Sequence, residues 1–392
     1  MSCRYDNGRR GVHVRRSKGF AARAARWSCL LLIAGLLAPL MAMTSATSAS
    51  AATGDNVGIS AGSKVLWESD LERIAELDAI AATGAKWFSL DIDWASIEYQ
   101  RGKYRWAEVD RVVLEAKSRG LKILGIIAYS PKWARSDDCP ATTTHCLPKK
   151  AEDYAAFAKV VVRRFGNFAT NPAFRGAVTA WQVWNEPNHY PFVQSVNVAF
   201  YTYMLRLTWT AIKSVDWAGS VLAGGLSPAP DDPAGKDMSP ATFLNGIYFW
   251  GGKGSFDAVS NHPYSFPCSP LTVADWNAFY QTLSLRWIMA YNGDAAKHIW
   301  GTETGAPTGA DVGSCSPFTG AVSVTEPVQA VFAAQYIARW TQDWGSFTGP
   351  LIWFQIRDDG TDPMKTDNNF GLLRRNFTQK QAYGTFKWLM GS

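Results

Sequence analysis

The chain has 392 residues, of which 18% are charged, and its formal net charge is +6. The positive surplus lies in the first 52 residues, where eight Lys and Arg face a single acidic residue. The remainder keeps 31 of the 39 basic and 32 of the 33 acidic side chains. This near balance excludes the basic surface typical of a nucleic-acid-binding protein.

The first segment has the pattern of an export signal. A basic stretch is followed by the apolar run "CLLLIAGLLAPLMAM" and by a small-residue cleavage site at Ala49-Ser50-Ala51. The alternative is a membrane anchor, but the run is shorter than the roughly 20 residues that a spanning helix needs, and Pro39 interrupts it. We therefore expect residues 1–51 to be a signal peptide and residues 52–392 to be secreted, or placed in the periplasm or cell wall, without stable membrane insertion. The choice between the general and the twin-arginine export route stays open.

Four cysteines remain after the leader, and an even number in an exported chain predicts two disulfides. Three pairings are possible. The short spacing within "DCPATTTHC" favours Cys139–Cys146, which leaves Cys268 and Cys315 for the second bond. No Cys-x-x-Cys spacing indicates a zinc site.

Eight short apolar runs alternate with helical patterns along residues 52–392, which predicts a single-domain (β/α)8 barrel. A doubly wound sheet is the alternative, but no glycine-rich phosphate fingerprint follows the first run. The predicted strands are residues 56–60, 86–92, 121–129, 177–184, 220–226, 256–262, 297–303 and 350–356.

Two glutamates close predicted strands on opposite sides of this barrel. Glu186 ends the fourth strand and Glu303 ends the seventh. Active sites of such barrels lie at the carboxyl ends of the strands. Two carboxyl groups that converge there are what a retaining or inverting glycosidase requires, depending on their separation.

The motifs around both glutamates resemble those of known enzymes. "WQVWNEPN" and "IWGTETG" resemble the acid/base and nucleophile strands of glycoside hydrolase clan A. "GAKWFSLDIDWASIEYQRGKYRWAEVD" and "GLKILGIIAYSPKWA" resemble family 39 and its bacterial exopolysaccharide-hydrolase relatives. The likeness extends over roughly residues 57–390.

The resemblance implies a role for each matching position. Glu186 would be the general acid/base and Glu303 the nucleophile. Asn185 would hydrogen-bond the 2-hydroxyl group of the sugar. Tyr264 would lie near Glu303 and tune it, and His262 would brace the two carboxyl groups.

Aromatic rings at the barrel mouth are further candidates for sugar binding. The resemblance implies that Trp353 stacks on the sugar. Tyr129 and Trp133 fall in mouth loops, where flat amphipathic rings suit sugar faces. The chain departs from its relatives at Ser89, where they commonly carry an arginine near the nucleophile, and Arg357 is the candidate to replace it.

The acids of the second strand are a separate case. One of Asp91 and Asp93 is expected to face the barrel interior and the other to bind loop backbone, and neither is expected to be catalytic.

The sequence as a whole predicts an exported retaining glycoside hydrolase. Its substrate would be a β-linked oligosaccharide or polysaccharide, from the cell wall or another extracellular polysaccharide, and it would need no metal or cofactor. A catalytically inactive carbohydrate-binding barrel and a transglycosylase are the alternatives.

Overall fold

A closed barrel of eight parallel strands forms the centre of the computed structural model, which describes residues 54–316 and 323–392. Each strand pairs with the next along the chain, and β8 pairs with β1. The strands are β1 (Val57–Ser60), β2 (Trp87–Asp93), β3 (Lys122–Ala128), β4 (Val178–Val183), β5 (Ser220–Leu226), β6 (Ala258–Asn261), β7 (His298–Thr304) and β8 (Thr348–Trp353).

Helices surround the barrel and connect its strands. They are α1 (Asp70–Ala82), α2 (Trp94–Ile97), α3 (Ala107–Ser118), α4 (Ala151–Phe165), α5 (Tyr190–Val193), α6 (Val198–Lys213), α7 (Pro240–Phe249), α8 (Thr282–Tyr291), α9 (Glu326–Ala338) and α10 (Gln381–Met390). A π-helical stretch, Arg339–Asp343, continues α9, and short 3-10 helices cover Gly54–Asn56, Ser63–Leu66 and Thr366–Asn369.

The predicted (β/α)8 barrel is confirmed, and each of the eight apolar runs contributes one strand. The runs are mostly apolar because parallel strands are buried by the barrel interior on one face and by helices on the other. The predicted signal peptide lies outside the described residues. No helix in the described part of the chain is long and apolar enough to cross a lipid bilayer.

The amphipathic helices are fixed by their buried faces and their caps. In α3, Val109, Val112, Val113 and Ala116 are buried, at the three- and four-residue spacing of one helix face. Helix α1 begins after Ser69, whose hydroxyl oxygen accepts the backbone N–H of Glu72.

Bulky side chains fill the end of the barrel at which the strands begin. The rings of Trp87 and Trp300 pack edge to face, with centroids 5.0 Å apart. A side chain at Gly58 would collide with Ile352 and would place its Cβ 2.7 Å from the carbonyl oxygen of Trp87. Among the described residues, a cavity opens at the carboxyl ends of the strands, where the polar residues lie.

Both described ends of the barrel domain lie on the filled face. Gly54 precedes β1 and packs near the sulfur of Met390 at the end of α10. The hydroxyl group of Ser392 donates a hydrogen bond to the carbonyl oxygen of Thr83, which follows α1.

Candidate active site

The end of β4 presents the first carboxyl group through an unusual backbone. Trp184 and Glu186 have φ values of 70° and 46°, in the left-handed region that side-chain-bearing residues rarely adopt. The Glu186 N–H donates to the carbonyl oxygen of Gly225 at 3.0 Å, which fixes the turn. Such backbone conformations are costly and cluster at functional sites.

Glu186, His262 and Glu303 converge at the mouth from β4, the residue after β6, and β7. The Nδ1 atom of His262 lies 2.8 Å from Oε1 of Glu186 and 3.6 Å from Oε2 of Glu303. One carboxylate oxygen of each glutamate and a ring nitrogen of the histidine all lie within 4.8 Å of one another. The structure thus brings the two predicted carboxyl groups together, with the imidazole beside both.

Glu303 has a second polar partner and a raised pKa. Burial raises the pKa of Glu303, and the nearby Glu186 carboxylate acts in the same direction. His262 opposes this rise, as does the hydroxyl group of Tyr264, which donates to Oε2 of Glu303 at 2.9 Å. The predicted proximity of Tyr264 and Glu303 is present in the structure.

His262 is buried, with no exposed surface. Burial alone would lower the pKa of His262, but the carboxylates of Glu303 and Glu186 reverse the effect and raise it. The imidazole is therefore suited to carry the positive charge that two adjacent carboxylates require.

A cavity of about 440 Å³ opens above these groups. Its lining combines residues from the ends of several strands with residues from the loops that follow them. It comprises Ser60, Gly62, Ser63, Lys64, Asp91, Ile126, Tyr129, His145, Asn185, Phe192, Glu303, Phe354 and Asp359.

Asn185 and Tyr129 are the two predicted sugar contacts that line this cavity. Burial raises the pKa of the Tyr129 hydroxyl group, and the Asn185 side chain opposes that rise. Asn185 is also held from below, because Gln182 donates to its side-chain oxygen at 3.2 Å. The amide is thereby fixed beside Glu186.

The two acids of β2 have different environments, as expected. Asp91 lines the cavity with Glu303. Burial raises the pKa of Asp91 to about 7, and the charges of Glu303 and Asp93 add to the effect. Asp93 instead caps α2 by accepting the backbone N–H of Ser96 at 3.3 Å.

The structure contradicts the expected stacking of a sugar on Trp353. This side chain points into the helical layer, where its ring packs on Tyr336 and Phe386 and its indole N–H donates to the carbonyl oxygen of Phe370. The next residue, Phe354, lines the cavity instead. Consecutive strand residues face opposite sides, so the aromatic ring at the mouth lies one position later than predicted.

Trp133 also lies outside the cavity lining. Its ring packs edge to face on Trp94, and the Arg101 guanidinium covers it at 4.3 Å from the ring centroid. Its indole N–H donates to the carbonyl oxygen of Glu98. With its ring and its donor both engaged by protein groups, Trp133 stabilises the loop after β3, and its contact with a sugar stays a prediction.

Arg357 does not replace the arginine that is absent at Ser89. Its buried guanidinium pairs with three glutamates beside or within α1: Glu68 at 2.5 Å, Glu72 at 3.2 Å and Glu76. Arg357 therefore joins the end of β8 to α1, away from Glu303. In the described part of the chain, the ion pair near Glu303 is the one with His262.

His145 is a cavity residue that the sequence analysis did not identify. It stacks on Tyr129 with centroids 4.2 Å apart and on Phe192 at 5.2 Å. The Cys139–Cys146 disulfide closes the loop that carries it. The sequence signal for His145 was its position directly before a predicted bridging cysteine.

Cys268 and Cys315 form the second disulfide, so both predicted bonds are confirmed.

The cluster of Glu186, His262 and Glu303 also has the donor atoms of a cation site. Two of these atoms are already paired with each other, since Nδ1 of His262 is within hydrogen-bonding distance of Oε1 of Glu186. The absence of a metal requirement stays a prediction.

A second cavity of about 490 Å³ lies between the loops that follow β7 and β8. Its buried cation, Lys380, donates to Thr308, Asp358 and the carbonyl oxygen of Asn369. The charge of Lys380 in this cavity is already neutralised by the protein, whereas Asp91 and Glu303 line the other cavity.

Comparison with known proteins supports the fold. Neither a family model nor a curated protein matches the chain. Solved structures do match. A family 39 glycoside hydrolase from Bacteroides cellulosilyticus WH2 has a TM-score of 0.64 and 22% identity, over 86% of this chain and 63% of that one. A monomeric β-xylosidase from Caulobacter crescentus CB15 has a TM-score of 0.61 and 16% identity, over 86% and 68%.

A third similar structure is a GH5_18 protein from Bifidobacterium longum subsp. longum ATCC 55813, in complex with Manβ1-4GlcNAc. Its TM-score is 0.57 and its identity 14%, over 83% of this chain and 74% of that one. At these identities the likeness concerns the fold. The predicted resemblance to family 39 is confirmed at that level, and the chain spans 63% of the length of the first structure.

Proposed function

We propose that the protein is an exported retaining glycoside hydrolase that cleaves a β-linked glycan. The observation that carries the proposal is the convergence of Glu186 and Glu303, with carboxylate oxygens within 4.8 Å of each other. Retaining glycosidases hold their two carboxyl groups about 5–5.5 Å apart, whereas inverting enzymes leave about 6.5–9.5 Å for a water molecule. The short separation favours retention.

The reaction proceeds in two steps. In the first, a Glu303 oxygen attacks the anomeric carbon while Glu186 transfers its proton to the glycosidic oxygen, so that the bond to the leaving group breaks and a glycosyl ester forms. In the second, Glu186 takes a proton from water, and the water oxygen displaces Glu303 from the anomeric carbon. Both glutamates return to their starting protonation states.

The surrounding residues support each role. Tyr264 donates to Glu303 and favours its ionised form. His262 lies against both carboxyl groups and stabilises whichever of them is charged. Asn185 lines the cavity and offers its amide to a sugar hydroxyl group.

The proposed substrate class rests on the similar structures and on the predicted leader. The similar structures include a β-xylosidase and a complex with Manβ1-4GlcNAc, and both descriptions refer to β-linked sugars. The predicted leader suggests that the glycan lies outside the cytoplasm. A cell-wall or extracellular polysaccharide is the substrate that we propose.

The decisive experiment compares two variants of the catalytic pair on a panel of aryl glycosides and bacterial polysaccharides. Glu303→Gln should lower kcat by roughly three orders of magnitude or more for every substrate. Glu186→Gln should lower it mainly for substrates with poor leaving groups, because good ones depart without a proton. Undiminished hydrolysis by the Glu303→Gln variant would reject the assignment.

The alternative of an inactive carbohydrate-binding barrel is motivated by Ser89, which brings no positive charge to the neighbourhood of Glu303. A mechanism-based fluorosugar separates the two functions. Covalent labelling of Glu303 supports the enzyme, whereas sugar binding without labelling or turnover supports the binding protein. A transglycosylase would also label, and it is distinguished by new glycosidic products when an acceptor sugar is added.

A further inference from the structure

An unpaired carboxyl group lies in the cavity beside the catalytic pair. Asp91 lines the cavity with Glu303 and Asn185, yet within the described residues its carboxyl group makes no hydrogen bond or ion pair. The other aspartates nearby are engaged. Asp93 caps α2, and Asp359 at the rim pairs with Lys64 at 2.6 Å.

The inner end of the cavity is short of positive charge. Asp91, Glu186 and Glu303 are grouped there, and in the described chain the ion pairs of these three carboxyl groups involve His262 alone. Ser89, two residues before Asp91 and on the same face of β2, contributes no charge. A ligand that carries a positive charge would offset the negative charge of these three carboxyl groups.

We propose that Asp91 is a specificity-determining residue that binds the ammonium group of an amino sugar, so that the preferred substrate is a glycan with free, non-acetylated amino groups. The proposal rests on the proposed glycosidase function. An ammonium group forms a charge-assisted hydrogen bond to Asp91 and lowers the repulsion among the three acids. A uronic acid would increase that repulsion and is selected against. A neutral sugar hydroxyl group can bond to Asp91 but does not offset its charge.

The test uses the purified full chain and matched aryl β-glycosides of glucose, glucosamine, N-acetylglucosamine and glucuronic acid, together with the galacto series. We expect kcat/KM for the amino glycoside to exceed that for the neutral one by about tenfold or more, the effect of one charge-assisted contact. Asp91→Asn should reduce this ratio to about one, and because the ratio compares two substrates of the same variant, it is independent of any general effect on turnover.

Asp93→Asn is the matched control. It removes the same charge two residues along the strand, at a position where asparagine also caps a helix well, and it should keep the amino-sugar preference. A wild-type ratio of one or less, or an unchanged ratio in Asp91→Asn, would overturn the proposal.

A binding measurement separates this inference from the proposed function. Calorimetry compares a glucosamine trimer with an N-acetylglucosamine trimer on the wild type, Asp91→Asn and Asp93→Asn. The proposed hydrolase function fails if no glycoside is hydrolysed and no label attaches to Glu303. The inference still stands in that case if the glucosamine trimer binds about tenfold tighter than the N-acetylglucosamine trimer and if Asp91→Asn, but not Asp93→Asn, removes the difference. Equal binding of both trimers by the wild type contradicts the inference, whatever the turnover.

Discussion

The Tyr264 hydroxyl group shows how single polar contacts set the chemistry of this site. In the proposed reaction Glu303 must be ionised to attack, yet burial and Glu186 favour its protonated form. The hydrogen bond from Tyr264 and the charge of His262 counter that tendency. The pKa of Glu303 is therefore set by a few groups with opposing effects, and removing one of them should shift that pKa.

We predict that Tyr264→Phe shifts the acidic limb of the pH profile of kcat/KM upward by about one pH unit, because a hydrogen bond to a charged group contributes about 1.5–3 kcal/mol. Without the donor, the pKa of Glu303 rises further, so a higher pH is needed to ionise it. Tyr336→Phe is the control, since it removes a buried hydroxyl group that bonds to Ser265 and not to Glu303. An acidic limb that stays in place in Tyr264→Phe would show that the hydrogen bond does not tune Glu303.

At the level of elements, β8 illustrates how one position decides between packing and binding. Trp353 fills the space between the barrel and helices α9 and α10, against Tyr336 and Phe386. Phe354 turns to the cavity. The last residue of β8 and the aromatic residue that follows it thus serve different layers of the molecule.

This arrangement predicts opposite phenotypes for two neighbouring substitutions. Trp353→Phe should lower the free energy of unfolding by about 1–2 kcal/mol through lost packing and leave KM unchanged. Phe354→Ala should raise KM by about tenfold, because a sugar-facing ring is lost, with a smaller effect on stability. Chemical denaturation and steady-state kinetics on the same preparations give both quantities, and a raised KM in Trp353→Phe would restore the original assignment.

The sequence predicts the strands and the residues at their ends, but it does not predict the direction in which Trp353 points or the path of the loop at Trp133. Eight apolar runs suffice for the barrel, and the strand ends locate Glu186 and Glu303, because that topology gathers all carboxyl ends at one mouth. The side that Trp353 faces depends on register, and a shift of one residue reverses it. Trp133 lies in a loop, whose path depends on contacts such as that with Arg101, which sequence spacing does not reveal.

Across the whole molecule, a buried charge cluster joins the two ends of the barrel sequence. Arg357 after β8 pairs with Glu68, Glu72 and Glu76, which lie beside or within α1. Burial raises the pKa of Glu76 to about 7, with Glu68 adding to the effect and Lys64 and Arg357 opposing it. The stability of the fold should therefore depend on pH through this cluster.

The sign of that dependence follows from proton uptake. Folded Glu76 keeps its proton up to about pH 7, whereas in the unfolded chain it ionises near its ordinary pKa of 4.5. Between these values the folded state binds more protons, so raising the pH destabilises it. Compared with Glu76→Gln, the wild type should lose roughly 2–3 kcal/mol of unfolding free energy over this interval.

Urea denaturation at a series of pH values measures this difference. Glu72→Gln is a suitable control, since Glu72 is partly exposed and pairs with Arg357 from the edge of the cluster. Parallel stability curves for the wild type and Glu76→Gln would contradict the assigned titration.

The position of Gly54 and Ser392 on the filled face of the barrel has a practical consequence. A solid support or a fused partner attached at either residue lies on the side opposite the cavity in which we propose that a glycan binds. The domain can therefore be attached through Gly54 and Ser392 at once, and its cavity still faces outward. An insoluble polymer, which cannot diffuse to the protein, would remain accessible to it.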